Sequence, residues 1–260
     1  DPLWSRGLGD VYKRQERDEY ERMHAVEDRM WWYRGLRALA SALLVRALAG
    51  SGAAGAVLDA GCGTGGMLRV LGPAAVGRPT LGLEYDGVAA SFAAAKAGRP
   101  VVCGSVNQLP LADASLAGYL SLDVLCHGGV EPEVALGEAL RCLAPGAIAV
   151  FNLPAYAWLL SAHDRRVHNV RRFTRREADA LLNRAGFRIL RSSYWNTLLF
   201  PLMLLHRLFG RDDAESDVHD YPRWLDAIFT AALSVERAAI RVGLSLPFGG
   251  SLIVVAVRNG

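Results

Sequence analysis

A glycine-rich stretch between a predicted strand and a predicted helix constrains the fold of this chain more than any other feature. Residues Val57 to Gly66 read VLDAGCGTGG, with apolar residues before the glycines and a helical pattern after them. Glycine permits left-handed backbone and close approach of a ligand to the main chain, so this arrangement is typical of a nucleotide cofactor site. Gly61, Gly63 and Gly66 fit G-x-G-x-x-G, the dinucleotide fingerprint, whereas Gly61, Gly63 and Gly65 fit the tighter G-x-G-x-G turn of another cofactor.

Short apolar runs alternate with helical segments downstream of the turn. Strands are predicted over residues 56–60, 80–86, 100–106, 117–125 and 147–154. Such alternation predicts a parallel sheet covered by helices on both faces, with the ligand crevice at the carboxyl ends of the strands. Two further strands are predicted over residues 188–195 and 251–259, on either side of a long helical insertion.

The chain divides into five predicted parts. Residues 1–15 include SRGLGDVYKRQ, which resembles a translated sequencing adapter, and we leave this tail out of the fold prediction. Residues 16–50 have a continuous helical pattern and are predicted to form a lid. Residues 51–195 form the predicted core, residues 196–250 the helical insertion, and residues 251–260 the last core strand.

The insertion has two interpretations. Its first apolar helix, Leu198 to Phe209, is too short to span a bilayer, which needs about 20 residues. It is predicted either to cap the substrate crevice or form a dimer interface, or else to lie on a membrane and reach a substrate dissolved there. The chain is accordingly expected to be a monomer or a homodimer with a possible peripheral membrane contact through residues 198–209.

Composition and charge exclude several classes of function. The formal net charge is only +3 and the basic residues are scattered, so no nucleic-acid partner is predicted. The four cysteines show no C-x-x-C pairing, and no metal site is predicted. The protein is expected to be reduced, to lack a signal peptide and to lie in the cytoplasm, with the inner face of the membrane as an alternative location.

A wider pattern separates the two interpretations of the glycines. Asp59, two residues before the first glycine, suits a ligand with sulfonium and ammonium groups better than a pyrophosphate, and Glu84, about 20 residues on, suits a ribose. From Ala56 to Phe187 the chain resembles the class I S-adenosylmethionine-dependent methyltransferases. The segments DRMWWYRG (Asp28 to Gly35) and LPAYAW…HD…H…RRFT (Leu153 onward) are similar to those of a bacterial subgroup.

The resemblance implies a fold and a set of cofactor residues. The fold would be an α/β, Rossmann-like, doubly wound sheet of seven mostly parallel strands with an antiparallel last strand, an N-terminal helical lid and a helical insertion before the last strand. Ser105 replaces the aspartate that usually accepts a hydrogen bond from adenine, so adenine recognition would rest on its hydroxyl. The implied cofactor residues are Asp59, Gly61, Cys62, Gly63 and Gly65 for the methionine part, Glu84 and Tyr85 for the ribose, Ser105 and Val106 for adenine, and Leu122 and Asp123 beside the methyl donor.

The aromatic cluster at the start of the chain indicates how the lid is placed. Trp31 and Trp32 are adjacent, and neighbouring helical residues point about 100° apart, so the two are not expected to serve the same core. We therefore expect this helix to fold over the cofactor crevice, with Tyr33 or Arg34 touching the carboxylate end of S-adenosylmethionine.

Candidates for chemistry follow the fifth predicted strand. His163, Asp164 and His168 combine imidazoles with a carboxylate, which predicts a general base near neutral pH, although the same residues could instead cap a helix or brace the loop. Tyr156 and His127 are predicted to face the substrate.

The resemblance predicts transfer of a methyl group to an oxygen or nitrogen atom, in preference to carbon, of a small molecule that could be amphiphilic. One alternative keeps the chemistry but places a lipid-linked or polyprenyl substrate in the membrane. Another, of a different class, is an NAD(P)-dependent oxidoreductase.

Overall fold

The structure, a computed structural model, describes residues 19–75, 77–209 and 221–259. The predicted tail at residues 1–15 and the polar middle of the insertion at residues 210–220 lie outside the described residues.

The described residues form one α/β unit. The strands are β1 (Ala56–Ala60), β2 (Thr80–Glu84), β3 (Val101–Cys103), β4 (Leu116–Leu122), β5 (Leu143–Pro154), β6 (Phe187–Trp195) and β7 (Ser251–Arg258). The helices are α1 (residues 19–26), α2 (Trp31–Ala49), α3 (Gly66–Ala74), α4 (Gly87–Ala97), α5 (Pro132–Cys142), α6 (Ala162–Arg166), α7 (Arg175–Ala185), α8 (Phe200–Phe209) and α9 (Arg223–Arg241).

The seven strands form a single sheet in the order β3-β2-β1-β4-β5-β7-β6. The pairs from β3 through β5 are parallel, and β7 is antiparallel to both β5 and β6. The predicted seven-stranded, mostly parallel sheet with an antiparallel last strand is therefore confirmed. The strand order reverses between β1 and β4, which places the ligand crevice at the carboxyl ends of these two strands.

Helices cover both faces of the sheet because successive strand residues point to opposite sides. Leu58 and Tyr119 belong to the core on one face, together with buried residues of α5 and α7. Val57 and Leu120 belong to the core on the other face, which α2, α3 and α9 complete. The central strands are thus buried on both sides, as their apolar runs predicted.

The predicted continuous helix over the lid is wrong in one respect. Residues 27–30 form a turn between α1 and α2. The cause lies in the side chains: Glu27 is buried and hydrogen-bonded to Lys96 and Thr64, while Asp28 pairs with Arg69. These contacts hold the turn against α3 and α4, and a straight helix could not make them all.

The second helix of the insertion is part of the core layer rather than a separate cap. Leu233 and Ile240 of α9 are buried in the same core as α2. A side chain on Gly35 would collide with Leu233, so the glycine lets the two helices approach closely. Helix α9 is therefore built into the face that α2 covers.

The two adjacent tryptophans contact different aromatic rings, but both pack against the core that α2, α3 and α9 complete, so the expectation that they do not share a core is wrong. Trp31 packs edge-on against Phe229 of α9 with ring centres 5.1 Å apart. Trp32 stacks on Trp195 at the end of β6, with ring centres 4.6 Å apart. The start of α2 thereby joins the insertion to the carboxyl edge of the sheet.

Candidate active site

The glycine turn takes the conformation that one of the two patterns requires. Gly61, Gly63 and Gly65 all have positive φ, of 75°, 53° and 91°, whereas Gly66 does not and begins helix α3. A side chain on Gly65 would also lie 2.6 Å from the backbone of Ala93. The conformational demand therefore falls on the G-x-G-x-G set, and Gly66 is needed for space only.

Asp59 places a buried carboxylate, hydrogen-bonded only in part, beside this turn. Its side chain is 1% exposed, and its Oδ2 atom has no hydrogen-bond partner among the described residues. Burial, reinforced by the charges of Glu84 and Glu27, raises the pKa of Asp59 to about 7. A buried acceptor left without a donor is costly, so the site suits a ligand that brings a cationic group.

Glu84 lies at the end of the neighbouring strand β2. Its Oε2 accepts from the amide of Gly63 at 2.8 Å, and its Oε1 accepts from the amide of Tyr85 at 2.9 Å. Burial raises the pKa of Glu84, and these amide hydrogen bonds partly offset that effect. Oε2 keeps a lone pair for a ligand hydroxyl. The Tyr85 side chain is 80% exposed and extends from the same edge.

The adenine candidates lie on a loop, because β3 is shorter than predicted and ends at Cys103. The Ser105 hydroxyl accepts from the amide of Asn107 at 3.1 Å, which turns the chain away from the sheet. The amide of Gly104 donates to the carbonyl of Glu84, so this loop lies beside the residue predicted to bind ribose. Val106 on the same loop is buried.

The carboxyl end of β4 presents Leu122 and Asp123, both half-buried. Asp123 has a φ of 57°, an uncommon conformation outside glycine that aspartate tolerates better than most residues. Its carboxylate accepts from Nδ2 of Asn152 on β5, at 2.9 Å to each oxygen. Burial raises the pKa of Asp123 to about 6 against the lowering effect of that hydrogen bond.

The N-terminal segment lies over the glycine turn. A side chain on Gly63 would meet the methyl group of Met23 at 2.9 Å. The carboxylate of Glu27 accepts from the Thr64 hydroxyl and from Lys96 Nζ, each at 2.5 Å, and Arg37 lies 3.7 Å away. This position agrees with the expected lid, and its role towards a cofactor stays a prediction.

The two lid residues predicted to touch the cofactor have different surroundings. Burial is the main cause that raises the pKa of Tyr33, and the charges of Glu27 and Glu19 come next. The charge of Asp123 raises it further, so the two side chains lie near each other. Arg34 donates to Asp226 of α9 at 3.1 Å, and the same carboxylate accepts from the Trp31 amide. Tyr33 is therefore within electrostatic range of Asp123, while Arg34 joins the lid to α9.

The histidine and aspartate cluster is built mainly around an arginine. Asp164 is buried and accepts from Nε and Nη2 of Arg172, at distances from 2.8 to 3.2 Å. It also accepts from the amide and hydroxyl of Ser161. Arg172 lowers the pKa of Asp164 against the opposing effect of burial. These contacts favour the loop-bracing interpretation of Asp164 over a dyad with an imidazole.

Of the three candidate histidines, the structure describes the side chains of His127 and His168. The backbone of His163 lies in α6, but its side chain is outside the described part of the structure. His168 is exposed with a φ of 57°, and its carbonyl accepts from the amide of Gly128. His127 follows β4, its Nδ1 lies 3.1 Å from the carbonyl of Val167, and burial lowers its pKa.

Tyr156 belongs to an aromatic cluster at the carboxyl edge of β5 and β6. Its ring stacks on Tyr194 at 5.3 Å and on Trp158 at 5.6 Å. Phe200 of α8 contacts Tyr156 at 5.8 Å and Phe248 at 5.9 Å. The cluster provides an apolar surface next to the strand ends that carry the cofactor candidates.

Three residues at the site were not predicted from the sequence: Glu27, Asn152 and Trp195. Asn152 carried a signal, since it is a polar residue in the apolar strand AIAVFNLP, and such a residue needs a buried partner. Its Oδ1 accepts from the indole nitrogen of Trp195 at 2.8 Å. Glu27 carried no signal, because charged residues are common on any helix.

Comparison with known proteins finds a methyltransferase-domain match within the central sheet. Residues 58–151 match a family model described as a methyltransferase domain. The chain is 32% identical over 131 residues to 24-methylenesterol C-methyltransferase 2 of Oryza sativa subsp. japonica, an alignment that covers 45% of this chain. It covers 34% of that relative, so the chain spans about a third of the length of the curated relative it matches.

Solved structures share the fold over most of the chain. A SAM-dependent methyltransferase from Thermotoga maritima is 20% identical with a TM-score of 0.54, covering 93% of this chain and 95% of the other. Geranyl diphosphate C-methyltransferase from Streptomyces coelicolor A3(2), solved with S-adenosyl-L-homocysteine, is 13% identical with a TM-score of 0.54, covering 84% and 76%. Residues 58–151 thus match a methyltransferase domain, and the chain shares its fold with solved methyltransferases, one of them determined with S-adenosyl-L-homocysteine.

Proposed function

We propose that the class I methyltransferase domain of this chain binds S-adenosylmethionine and transfers its methyl group to a small amphiphilic molecule. The observation that carries the proposal is the buried carboxylate of Asp59, whose Oδ2 has no described partner beside a left-handed G-x-G-x-G turn. A ligand with both an ammonium and a sulfonium group supplies the positive charge that this carboxylate needs.

The residues present fit such a cofactor. Asp59 and the glycine turn would hold the methionine part, Glu84 would accept from the ribose, and the loop carrying Ser105 would receive adenine. The bound cofactor would supply a methyl group already activated by the positive charge on sulfur. The protein then has to align the acceptor atom and remove its proton.

Calorimetric titration tests the cofactor assignment. S-adenosylhomocysteine should bind to the wild-type protein and NAD should not. Asp59→Asn removes the charge that attracts the ammonium and should weaken binding about tenfold or more, equal to roughly 1.4 kcal/mol. Asp113→Asn is the matched control, since Asp113 is an exposed partner of Arg141 and should leave affinity unchanged. Binding of NAD alone would refute the proposal.

The acceptor is proposed to be partly apolar because the aromatic cluster lies at the same edge as the cofactor candidates. Tyr156, predicted to face the substrate, is the member that follows β5 directly. The acceptor atom is proposed to be oxygen or nitrogen, with carbon as an alternative because C-methyltransferases are among the relatives.

A second candidate function places the acceptor in a membrane. An exposed apolar rim surrounds α8. It includes residues of α8 itself, the chain just before it, and two neighbouring segments whose aromatic rings contact Phe200. Trp158 is 63% exposed, and Leu202 and Leu205 share one face of α8. None of the described helices is long and apolar enough to cross a bilayer, so contact would be peripheral to a cytoplasmic face. The apolar rim consists of Trp158, Leu160, Leu198, Leu202, Leu205 and Phe248.

Vesicle flotation separates the two candidates. With phosphatidylcholine vesicles, membrane docking predicts that the wild-type protein floats and that the double variant Leu202→Ser, Leu205→Ser does not. Leu190→Ser is the matched control, because Leu190 is similarly exposed but lies on β6. Absence of binding to any vesicle composition would remove the membrane candidate and leave a freely diffusing acceptor.

A further inference from the structure

Asp123 has acceptor capacity that no described donor fills. An ionised carboxylate offers about four lone-pair positions. Both oxygens of Asp123 are hydrogen-bonded to the single Nδ2 atom of Asn152. The residue is half-buried at the carboxyl end of β4, where the strand order reverses. The remaining lone pairs are therefore available to a group that enters the crevice.

The orientation of the Asn152 amide follows from its other partner. The indole nitrogen of Trp195 can only donate a hydrogen bond, so the atom it contacts at 2.8 Å must be the amide oxygen. The amino group of Asn152 then has to point at Asp123. Trp195 is itself held by stacking on Trp32 of α2, which fixes the whole row from the lid helix to the Asp123 carboxylate.

We infer that Asp123 is the proton acceptor for the methyl acceptor, and that Asn152 and Trp195 are positioning residues for it. The inference rests on the proposed function. For a hydroxyl acceptor, its oxygen forms a bond to the methyl carbon while the carbon–sulfur bond breaks and leaves its electron pair on sulfur. The hydroxyl proton passes to the Asp123 carboxylate, so atoms and charge balance.

The surroundings of Asp123 make its protonation sensitive to a nearby cation. Burial raises its pKa to about 6, Asn152 and Arg172 lower it, and Asp164 raises it. A sulfonium close to the carboxylate would lower that pKa and hold Asp123 ionised before transfer. Transfer removes the positive charge, and the carboxylate then becomes more basic as its proton arrives. The titratable groups that face it are Tyr33 from α2, Asp164 and Arg172 from the segment after β5, and Cys126 and His127 from its own loop.

Proton release on ligand binding tests this inference without knowledge of the acceptor. Titrations of S-adenosylmethionine and S-adenosylhomocysteine at pH 6, in two buffers of different ionisation enthalpy, give the protons released by each. With a pKa of about 6 that falls by about one unit near a sulfonium, Asp123 should release about 0.4 proton more with S-adenosylmethionine than with its demethylated product. The ammonium is common to both ligands, so the response of Asp59 to it cancels, and any response of Asp59 to the sulfonium remains in a variant that lacks the Asp123 carboxylate.

Two variants assign the excess to this carboxylate. Asp123→Asn should bind S-adenosylhomocysteine within about twofold of the wild-type affinity and lose the excess release, since asparagine also tolerates positive φ. Asn152→Leu should move the pH of greatest excess above that of the wild type. An equal excess in Asp123→Asn, or none in the wild type, would overturn the inference. If neither ligand binds at all, the proposed function itself fails.

Discussion

Replacement of Glu27 by glutamine tests whether the N-terminal segment is held over the glycine turn by a buried charge cluster. The side chains of Glu27, Lys96 and Arg37 are 6%, 8% and 9% exposed. Glutamine keeps the size of the side chain but leaves two buried cations without their closest anion. The segment should therefore open locally, well before the sheet unfolds.

The size of the effect follows from the partners that survive. Removing one member of a buried ion pair costs about 3–5 kcal/mol, against roughly 0–1 kcal/mol for an exposed pair. Lys96 keeps Asp28 at 3.9 Å and the carbonyl of His24, and Arg37 keeps Asp28 at 3.7 Å. These second contacts place the cost at the lower end, about 3 kcal/mol, which is roughly a hundredfold change in the opening equilibrium.

Native-state trypsin cleavage at Arg22 and Arg29 measures that opening, and urea unfolding measures global stability. Cleavage of Glu27→Gln should be roughly a hundred times faster than that of the wild type. Glu138→Gln is the matched control because Glu138 pairs with Arg141 at a partly exposed site, and its cleavage at these arginines should not change. A rise of less than about threefold in Glu27→Gln would show that the cluster does not hold the segment.

Three further predictions concern the buried polar groups around the crevice. The folded pKa of Asp59 is about 7, above its unfolded value of 3.8, so the folded state binds the proton more tightly. The stability of the wild type relative to Asp59→Asn should therefore fall from about pH 4 to pH 7. A constant difference between the urea midpoints of the two proteins across this range would contradict the assignment. Arg172→Met leaves the buried Asp164 carboxylate without its guanidinium partner and should cost about 3–5 kcal/mol in urea unfolding, with a smaller loss when Asp164→Asn is added. Trp195→Phe removes the donor to Asn152 and should cost about 1–3 kcal/mol, whereas a loss below about 0.5 kcal/mol would show that the buried hydrogen bond is unimportant.

The sheet and the glycine turn could be predicted because their signals are local. Apolar runs of strand length and the turn glycines each report on backbone within a few residues, and the confirmed mostly parallel sheet follows from the alternation of strands and helices. Errors arose where distant side chains decide the local structure. Lys96 draws Glu27 into a turn across an otherwise helical pattern, and the Ser105 hydroxyl ends β3 early.

The acceptor side was harder to predict because its residues come together from far apart in the chain. Asn152 and Trp195 belong to different strands that are not adjacent in the sheet, and β7 lies between them. No spacing rule links the two positions. Asp164 illustrates the opposite problem, since a histidine–aspartate pattern indicated a general base while Arg172, eight residues away, takes up the carboxylate.

The charge balance of the crevice separates the two cofactor interpretations more sharply than the glycine spacing does. Asp59 and Glu84 lie at the ends of neighbouring strands, and burial raises the pKa of both. Two cations nearest to the glycine turn, Lys96 and Arg37, are already paired with Glu27 of the lid. A pyrophosphate entering here would meet buried carboxylates, whereas a cationic ligand would relieve their mutual repulsion. Ionisation of these buried carboxylates therefore destabilises the fold as the pH rises towards neutral, and a sulfonium cofactor would offset that cost.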